Sequence, residues 1–248
     1  MTKEKGISVA ILALQSTRRI LRHMQLTNKT AIVTGASGGI GSALIDILVK
    51  EGMRVYALDL KKIDRLSEGV TYFDADVTNA ASIKQALSNI EEPIDLLINS
   101  AGVMRRGSIL EVSPEDYDIT MNVNVKGSWM MLKSLLPKFS KDAVIVQMVS
   151  RHALFPPEDP ALYALSKIAV DRLLDFFEKS HPHYSVRRLY PGPTDTPLAR
   201  HDVPAAELKE KEKKMFKPED LAAQIVELLK EDKSKLVFDP KTWSHTLV

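Results

Sequence analysis

The 248-residue chain contains no cysteine. That absence excludes thiolate catalysis, cysteine-ligated zinc and disulfides, and it fits a reducing compartment. Charge of one sign is missing too: 34 Lys and Arg stand against 32 Asp and Glu, a formal net charge of +2. Neither nucleic acid nor an acidic lipid surface is indicated as a partner. The apolar run Ile7 to Leu14 is too short to cross a bilayer and has no small-residue cleavage site, so neither a membrane span nor a signal peptide is expected. No internal repeat, low-complexity tract or separating linker is visible. Metal-ligand spacing is also wanting: His181 and His183 flank Pro182 in a turn and read as a solvated loop, so no metal site is expected. What remains is one cytoplasmic globular domain of ordinary apolar content.

The first two dozen residues stand apart. Apolar positions Ile7, Ala10, Ile11, Leu14, Leu21 and Met24, with Arg18, Arg19, Arg22 and His23 near the end and no acid after Glu4, make an amphipathic helix plausible. It can be read as an organelle-targeting segment, an interfacial helix, or an upstream stretch ahead of a start at Met24; an extra stretch or packing arm is preferred to targeting. Residues 1–25 are therefore set aside as an amphipathic or disordered extension, and 26–248 as the folded domain.

Beyond it, apolar strands and helical patterns alternate. Strands are expected at Lys29 to Thr34, Met53 to Leu58, Thr71 to Phe73, Leu96 to Asn99, Val144 to Val149, Val186 to Tyr190 and Lys235 to Phe238. Helices are expected at Ser42 to Lys50, Ala80 to Asn89, Pro114 to Pro137, Pro160 to Ser180 and Pro218 to Lys230. Such alternation predicts an α/β fold, a doubly wound parallel sheet of about seven strands with helices on both faces. Ligands bind such sheets at the carboxyl ends of the strands near the switch point, and Gly35, Asp59, Asn99, Ser150 and Pro191 all fall at predicted strand ends.

Two features carry chemistry. The first strand runs into Gly35-Ala36-Ser37-Gly38-Gly39-Ile40-Gly41 and then a helix, a phosphate cradle in which glycine lets an anion approach the main chain and the helix-start amides face it. Asp59, ending the second strand, offers a carboxylate to the ribose hydroxyls of an adenine nucleotide. The second feature is Tyr163 and Lys167, four apart. Asp159 is expected to cap a helix that Pro160 opens, which puts phenol and ammonium on one face, one turn apart. A neighbouring cation favours the phenolate and turns tyrosine into a general acid/base.

With these residues in place the sequence resembles the short-chain dehydrogenase/reductase family in its compact single-domain form, from about Gln25 onward. Thr34 to Gly41 matches TGxxxGxG, Asn99-Ser100-Ala101-Gly102 matches NNAG with one change, and Tyr163 to Lys167 matches YxxxK. Ser150 lies thirteen residues before Tyr163, Asn124-Val125-Lys126-Gly127 matches the segment carrying the catalytic asparagine, and Pro191 to Thr196 matches PGxxxT. The resemblance implies an NAD(P)-dependent dehydrogenase/reductase acting on CH–OH groups, with Asn124, Ser150, Tyr163 and Lys167 catalytic. It further implies cofactor contacts from Gly35, Ser37, Gly39, Ile40, Gly41, Asp59, Asp76, Val77, Asn99, Ala101, Gly102, Tyr163, Lys167, Pro191, Gly192, Thr194 and Thr196. Lys167 would also hold the nicotinamide ribose, and Asn124 would position a water linking Lys167 to solvent. Asp76 is alternatively placed to cap the next helix at Thr78-Asn79.

NAD(H) is expected to be preferred, because Asp59 would repel the extra phosphate of NADP(H), which stays possible through Lys61-Lys62. The substrate would be a small carbonyl or alcohol bounded by Met104, Arg105, Arg106, His152, Leu154, Phe155, Leu198 and Met215, under a short lid over 197–217. Arg105 and Arg106 are expected to face solvent rather than to bind a substrate anion. Trp129, Met130 and Met131 are read as core or subunit interface. By resemblance the subunits pair through helices 114–137 and 160–180 into a homodimer or homotetramer. Two other readings stay open: a nicotinamide-binding redox sensor without turnover, and an enzyme like the sugar-nucleotide epimerases and dehydratases.

Overall fold

A computed structural model describes residues 23–63, 66–201 and 203–248 and shows an eight-stranded sheet in the order β3-β2-β1-β4-β5-β6-β7-β8. The strands are β1 (Thr30–Thr34), β2 (Arg54–Asp59), β3 (Val70–Asp74), β4 (Ile94–Asn99), β5 (Phe139–Met148), β6 (Ser185–Tyr190), β7 (Lys235–Asp239) and β8 (Ser244–Leu247). Between them run α1 (Gly39–Lys50), α2 (Ala80–Ser88), α3 (Pro114–Met121), α4 (Ser128–Leu135), α5 (Ala161–Ser180), α6 (Pro197–Arg200), α7 (Ala205–Glu212) and α8 (Pro218–Lys230). The targeting and packing-arm readings of the N-terminal stretch fall on residues 1–22, outside the described residues. Met24 is buried, and its amide donates to Leu229 O at 3.0 Å.

β1 shows why the sheet is covered twice. Side chains alternate across a strand, so Ala31 and Val33 pack with Leu44, Leu48, Ile225 and Leu229 of α1 and α8, while Ile32 packs with Ile83, Leu87, Met131 and Leu174 of α2, α4 and α5. A strand apolar on both faces is stable only between two helical layers. Order reverses between β1 and β4, which places the crevice above their carboxyl ends.

Three expectations need correction. The sheet has eight strands, not seven: β8 pairs antiparallel with β7, Phe238 opposite His245. Four residues of mixed polarity at the edge of a sheet carry too little apolar signal to be read as a strand. The helix expected over 114–137 runs on without a break but is not α-helical throughout; α3 passes into a π-helical stretch, Asn122–Gly127, before α4. Such an expanded turn has no sequence period and concentrates at functional sites. Asp159 does not cap α5. Pro160 occupies the cap position without a side-chain cap bond, and Asp159 Oδ1 instead accepts from the amide of Gly107 at 2.7 Å.

α5 is tied to β6 by a buried ionic cluster. Arg188 Nη1 reaches Asp171 Oδ1 at 2.9 Å and Asp175 Oδ1 at 2.8 Å, Nη2 pairs with Glu178, and the Tyr190 hydroxyl donates to Asp171 Oδ1 at 2.8 Å. The helix bearing Tyr163 and the strand leading into Pro191 are thus held in one geometry.

Candidate active site

At the end of β1 the chain turns at Gly35, whose φ of 65° favours glycine. A Cβ there would lie 2.8 Å from the backbone N of Ala101, and Thr34 Oγ1 accepts from the amides of Ser100 and Ala101, each at 3.2 Å. The turns after β1 and β4 therefore touch main chain to main chain. α1 starts after Gly38 with no side-chain cap, and a Cβ on Gly39 would stand 2.9 Å from Thr196 Cγ2. Asp59 closes β2 beside this turn: its Oδ2 accepts from Ser37 N and its Oδ1 from Lys61 N, both at 2.9 Å.

Asp76 and Val77 lie beyond β3. Asp76 Oδ1 accepts from the amide and hydroxyl of Thr78 at 2.8 Å, and the cap of α2 is Asn79 rather than Asp76. Val77 abuts Gly127, where a Cβ would come within 2.8 Å of Val77 Cγ2. Asn99 at the end of β4 is buried, and among the described residues its Nδ2 has no hydrogen-bond partner.

Asn124, Ser150, Tyr163 and Lys167 converge. In the π-helical stretch Asn124 is 1% exposed; its Oδ1 accepts from Val103 N at 2.8 Å, and its Nδ2 donates to Val103 O and Ser166 Oγ, both at 2.9 Å. It joins the turn after β4 to the middle of α5. Ser150 follows β5, accepts from His152 N at 3.1 Å, and hydrogen-bonds the Tyr163 phenol. Lys167 Nζ lies 5.6 Å from the Tyr163 ring centroid, one turn along α5.

Burial dominates the electrostatics of this group. It pushes the Tyr163 phenol up to about 12, against the opposing pull of the Ser150 hydrogen bond. It pulls Lys167 down to about 8. The phenol is thus moved away from neutrality, not toward it: the cost of burying a phenolate exceeds what the Ser150 hydrogen bond returns.

A cleft of about 380 Å³ opens beside these groups, lined by Ile40, Ser150, Tyr163, Pro191, Gly192, Thr194 and Thr196 together with Met104, Arg106, His152, Leu198 and Met215. Five expected substrate contacts need comment. Arg105 is outside the lining and is held by Asp116 Oδ1 at 2.9 Å. Leu154 and Phe155 do not line it either, and Phe155 is 59% exposed. A hydrophobic residue in a proline-rich loop can turn outward without a signal in spacing. Arg106 does line the cleft, yet it is paired, with Asp159 Oδ2 at 3.5 Å. His152 packs edge-on to Tyr163, with centroids 6.1 Å apart, and its pKa is lowered to about 4, by burial first and then by Arg151 and Arg106, against Asp159.

The C-terminal hairpin supplies groups that sequence reasoning missed. Gly192 N donates to His245 Nε2 at 3.0 Å, and the imidazole packs against Phe216 and Phe238 with centroids 4.5 and 5.7 Å away. Burial lowers the pKa of His245 to about 4, which keeps the ring neutral and able to accept. Trp243 lines the cleft, donates Nε1 to Lys214 O at 3.1 Å, and sits at φ 52°, a left-handed conformation that a bulky residue keeps only under constraint. The turn-forming stretch before Ser244 was the available signal for a hairpin, but nothing in it says which loop the hairpin meets.

Among the described residues no helix is long and apolar enough to cross a membrane, and no group of three or more His, Cys, Asp or Glu is arranged to hold a metal ion.

The chain is similar to known proteins over most of its length. It is 35% identical over 192 residues to the oxidoreductase UcpA of Salmonella typhimurium, covering 71% of this chain and 73% of the relative. A short chain dehydrogenase of Burkholderia cenocepacia, solved in complex with NADP, superposes with a TM-score of 0.78 at 28% identity, over 88% of this chain and 91% of that one. The ligand-free aldohexose dehydrogenase of Thermoplasma acidophilum gives a TM-score of 0.74 at 27% identity, over 81% and 86%. Residues 29–207, from β1 through the loop after β6 and into α7, match the family described as short chain dehydrogenase, and with the glycine turn and the Ser150, Tyr163 and Lys167 cluster at the strand ends, the chain belongs to that family of oxidoreductases.

Proposed function

We propose that the protein interconverts a carbonyl compound and its alcohol with a nicotinamide dinucleotide, NAD(H) in preference to NADP(H), and that Tyr163 transfers the proton. The observation that carries this reading is the buried phenol of Tyr163, hydrogen-bonded to Ser150 and one turn from Lys167, on the wall of a cleft above the switch point.

The residues present fit such a cofactor. Glycine at 35, 39 and 41 leaves no side chain between the turn and an approaching anion, and Cβ atoms at 35 and 41 would meet backbone at 2.8 and 2.2 Å. The orphaned Nδ2 of Asn99 is a buried donor awaiting an acceptor. When bound, the nicotinamide supplies or takes up the hydride. Asp59 accepts from ribose hydroxyls and repels a ribose phosphate; Asp76 and Val77 bound the adenine end; Ala101 and Gly102 let the backbone approach; Pro191, Gly192, Thr194 and Thr196 hold the nicotinamide end. The NADP complex of the Burkholderia cenocepacia relative supports the cofactor class, whereas Asp59 supports the choice within it.

For reduction, the burial that keeps Tyr163 protonated serves the reaction, since the phenol must donate to the carbonyl oxygen. Ser150 donates to the same oxygen and stabilises its developing charge. For oxidation the phenolate is needed, and Lys167, with the charge of oxidised nicotinamide, must offset the burial cost. Asn124 fixes the turn after β4 against α5 and positions a water leading from Lys167. Residues 26–248 form the catalytic domain, with 197–217 closing over the substrate.

The test is a panel of aldehydes, ketones and alcohols assayed with both nicotinamides. Tyr163→Phe is expected to keep its melting temperature and its NADH affinity while turnover falls about a hundredfold or more. Comparable turnover in that variant would remove Tyr163 as the acid/base.

A further inference from the structure

We propose that the cleft takes a carbonyl substrate bearing an anionic group, and that Arg151 is the residue that binds the anion; this rests on the oxidoreductase reading for the identity of the cleft as a substrate site. The cleft wall carries four cationic side chains, Arg106, Arg151, Lys211 and Lys214, against one carboxylate, Asp159. Two of the cations are answered from within the protein. Arg106 pairs with Asp159 at 3.5 Å and donates to His201 O at 3.4 Å, and Lys211 pairs with Glu207 at 3.0 Å.

Arg151 is different. It is half-buried, its guanidinium carbon lies 5.7 Å from the centroid of Phe238, and among the described residues no carboxylate or hydrogen-bond acceptor meets its side chain. Burial lowers its pKa, the signature of a charge taken out of water without compensation. A desolvated guanidinium is costly unless an anion meets it, so its retention in a cleft wall is explained by an anion that arrives with the ligand. The Phe238 face holds the guanidinium plane, and a planar fork of donors suits a carboxylate or a phosphate in a two-point grip.

Position in the chain adds a distance. Arg151 follows Ser150 directly, its amide donating to Pro191 O at 3.2 Å. The group that grips the anion and the group that polarises the carbonyl are thus rooted about 3.8 Å apart at Cα. Both residues line the cleft, so one small ligand carrying carbonyl and anion is the form to test. The neighbouring His152, with its pKa lowered to about 4, adds no charge at neutral pH.

Three probes decide it: methyl levulinate as the neutral ketone, levulinate as the carboxylate and hydroxyacetone phosphate as the phosphate. Each is titrated calorimetrically into the full chain with and without NAD⁺ at fixed ionic strength. Wild type is expected to bind one of the anions about tenfold or more tighter than the ester, and Arg151→Met to remove that margin, with Arg151→Lys keeping part of it. The anion that wins assigns carboxylate or phosphate. If Arg151→Met does not fold, Arg151→Gln replaces it with the same expectation. Equal affinity for ester and anions in wild type, no binding of either anion, or a margin that survives loss of the guanidinium overturns the proposal. Because binding needs no turnover, failure of the two readings separates. An Arg151-dependent anion margin without nicotinamide-linked conversion of any panel ketone would reject the redox reading alone, and conversion of neutral ketones without a margin would reject the anion site alone.

Discussion

Lys167 donates a 2.9 Å hydrogen bond to the carbonyl of Met148 from a position only 3% exposed. The ammonium is anchored to the end of β5, two residues before Ser150, so the cation beside the Tyr163 ring is fixed to the strand that leads into the serine. Its pKa, drawn down to about 8 by burial, means that folding penalises the charged form.

Lys167→Met should therefore separate activity from stability. Turnover and nicotinamide affinity are expected to fall together, while stability at pH 7 holds or rises by about 1 kcal/mol, because an apolar side chain replaces a desolvated charge. The pH dependence has a definite sign. Between about 8 and the ordinary lysine value of 10.5 the unfolded chain retains a proton that the native state has released, so wild-type stability rises with pH across that window. The variant lacks this rise. Denaturant titrations at pH 7.5 and 10 would check it, and an identical slope in the two proteins would count against the burial argument.

Cofactor choice should move with Asp59. Its Oδ2 accepts from Ser37 N in the glycine turn and its Oδ1 from Lys61 N, so the carboxylate is fixed beside that turn. Wild type is expected to bind NADH more tightly than NADPH, and Asp59→Ala to narrow the ratio by about tenfold. The same change should cost about 1 kcal/mol for the lost turn bonds. Tighter NADPH binding by wild type would contradict the assignment.

Acid should weaken the fold through His152 and His245. Both have folded pKa values near 4, below the ordinary 6.5, so as pH falls through that window the unfolded chain takes up protons that the native state refuses, and stability is lost. His245→Gln should flatten the loss, because a carboxamide oxygen still accepts from Gly192 but does not titrate. His245→Leu should do worse at every pH: Gly192 is buried, and an unanswered amide costs about 1–3 kcal/mol. Melting temperatures from pH 4 to 7, with nicotinamide affinities at pH 7, test both variants.

Two neighbouring glycines should respond unequally to one methyl group. A Cβ on Gly41 would stand 2.2 Å from Gly35 O, against a carbonyl that cannot swing away, whereas on Gly38 the same oxygen is met at 3.1 Å. Gly41→Ala is expected to lose about 1–3 kcal/mol and nicotinamide binding with it, and Gly38→Ala clearly less. Equal melting temperatures for the two variants would show that the turn yields more easily than its packing implies.

The motif residues were legible because backbone geometry and reaction chemistry both constrain them. Glycine at 35 is demanded by a positive φ and a main-chain approach, and the four-residue step from Tyr163 to Lys167 is one turn of helix. The sheet was legible because strands apolar on both faces have few alternatives. What escaped was set by distant contacts. Asp159 reads as a cap by position, but Gly107 N and Arg106, 52 and 53 residues upstream, claim its oxygens. Arg105 and Arg106 differ from Arg151 only in having carboxylates opposite them, and spacing does not encode that. The strand β8 owes its place to pairing with β7, not to its own composition.

Assembly should involve the long helices. α4 and α5 leave Trp129, Leu165 and Phe176 exposed at 44, 41 and 67%, large apolar surface for a solvated face. A homodimer or homotetramer is expected by light scattering at micromolar concentration, and Phe176→Asp should shift it toward the 27.7 kDa monomer. A wild-type mass at the monomer value would refute the expectation.

The bond from Gly192 to His245 also has an order in time. Synthesis runs from the N-terminus, so the glycine turn, Ser150, Tyr163, Lys167 and the loop after β6 all emerge before the strand that carries the acceptor for Gly192. A nascent chain that has reached residue 240 already holds every motif by which its family is recognised, yet the amide of Gly192 is unanswered and the cleft lacks its Trp243 wall. Possession of the motifs and possession of a finished cleft are therefore distinct stages in the life of this chain, divided by the emergence of Trp243 and β8.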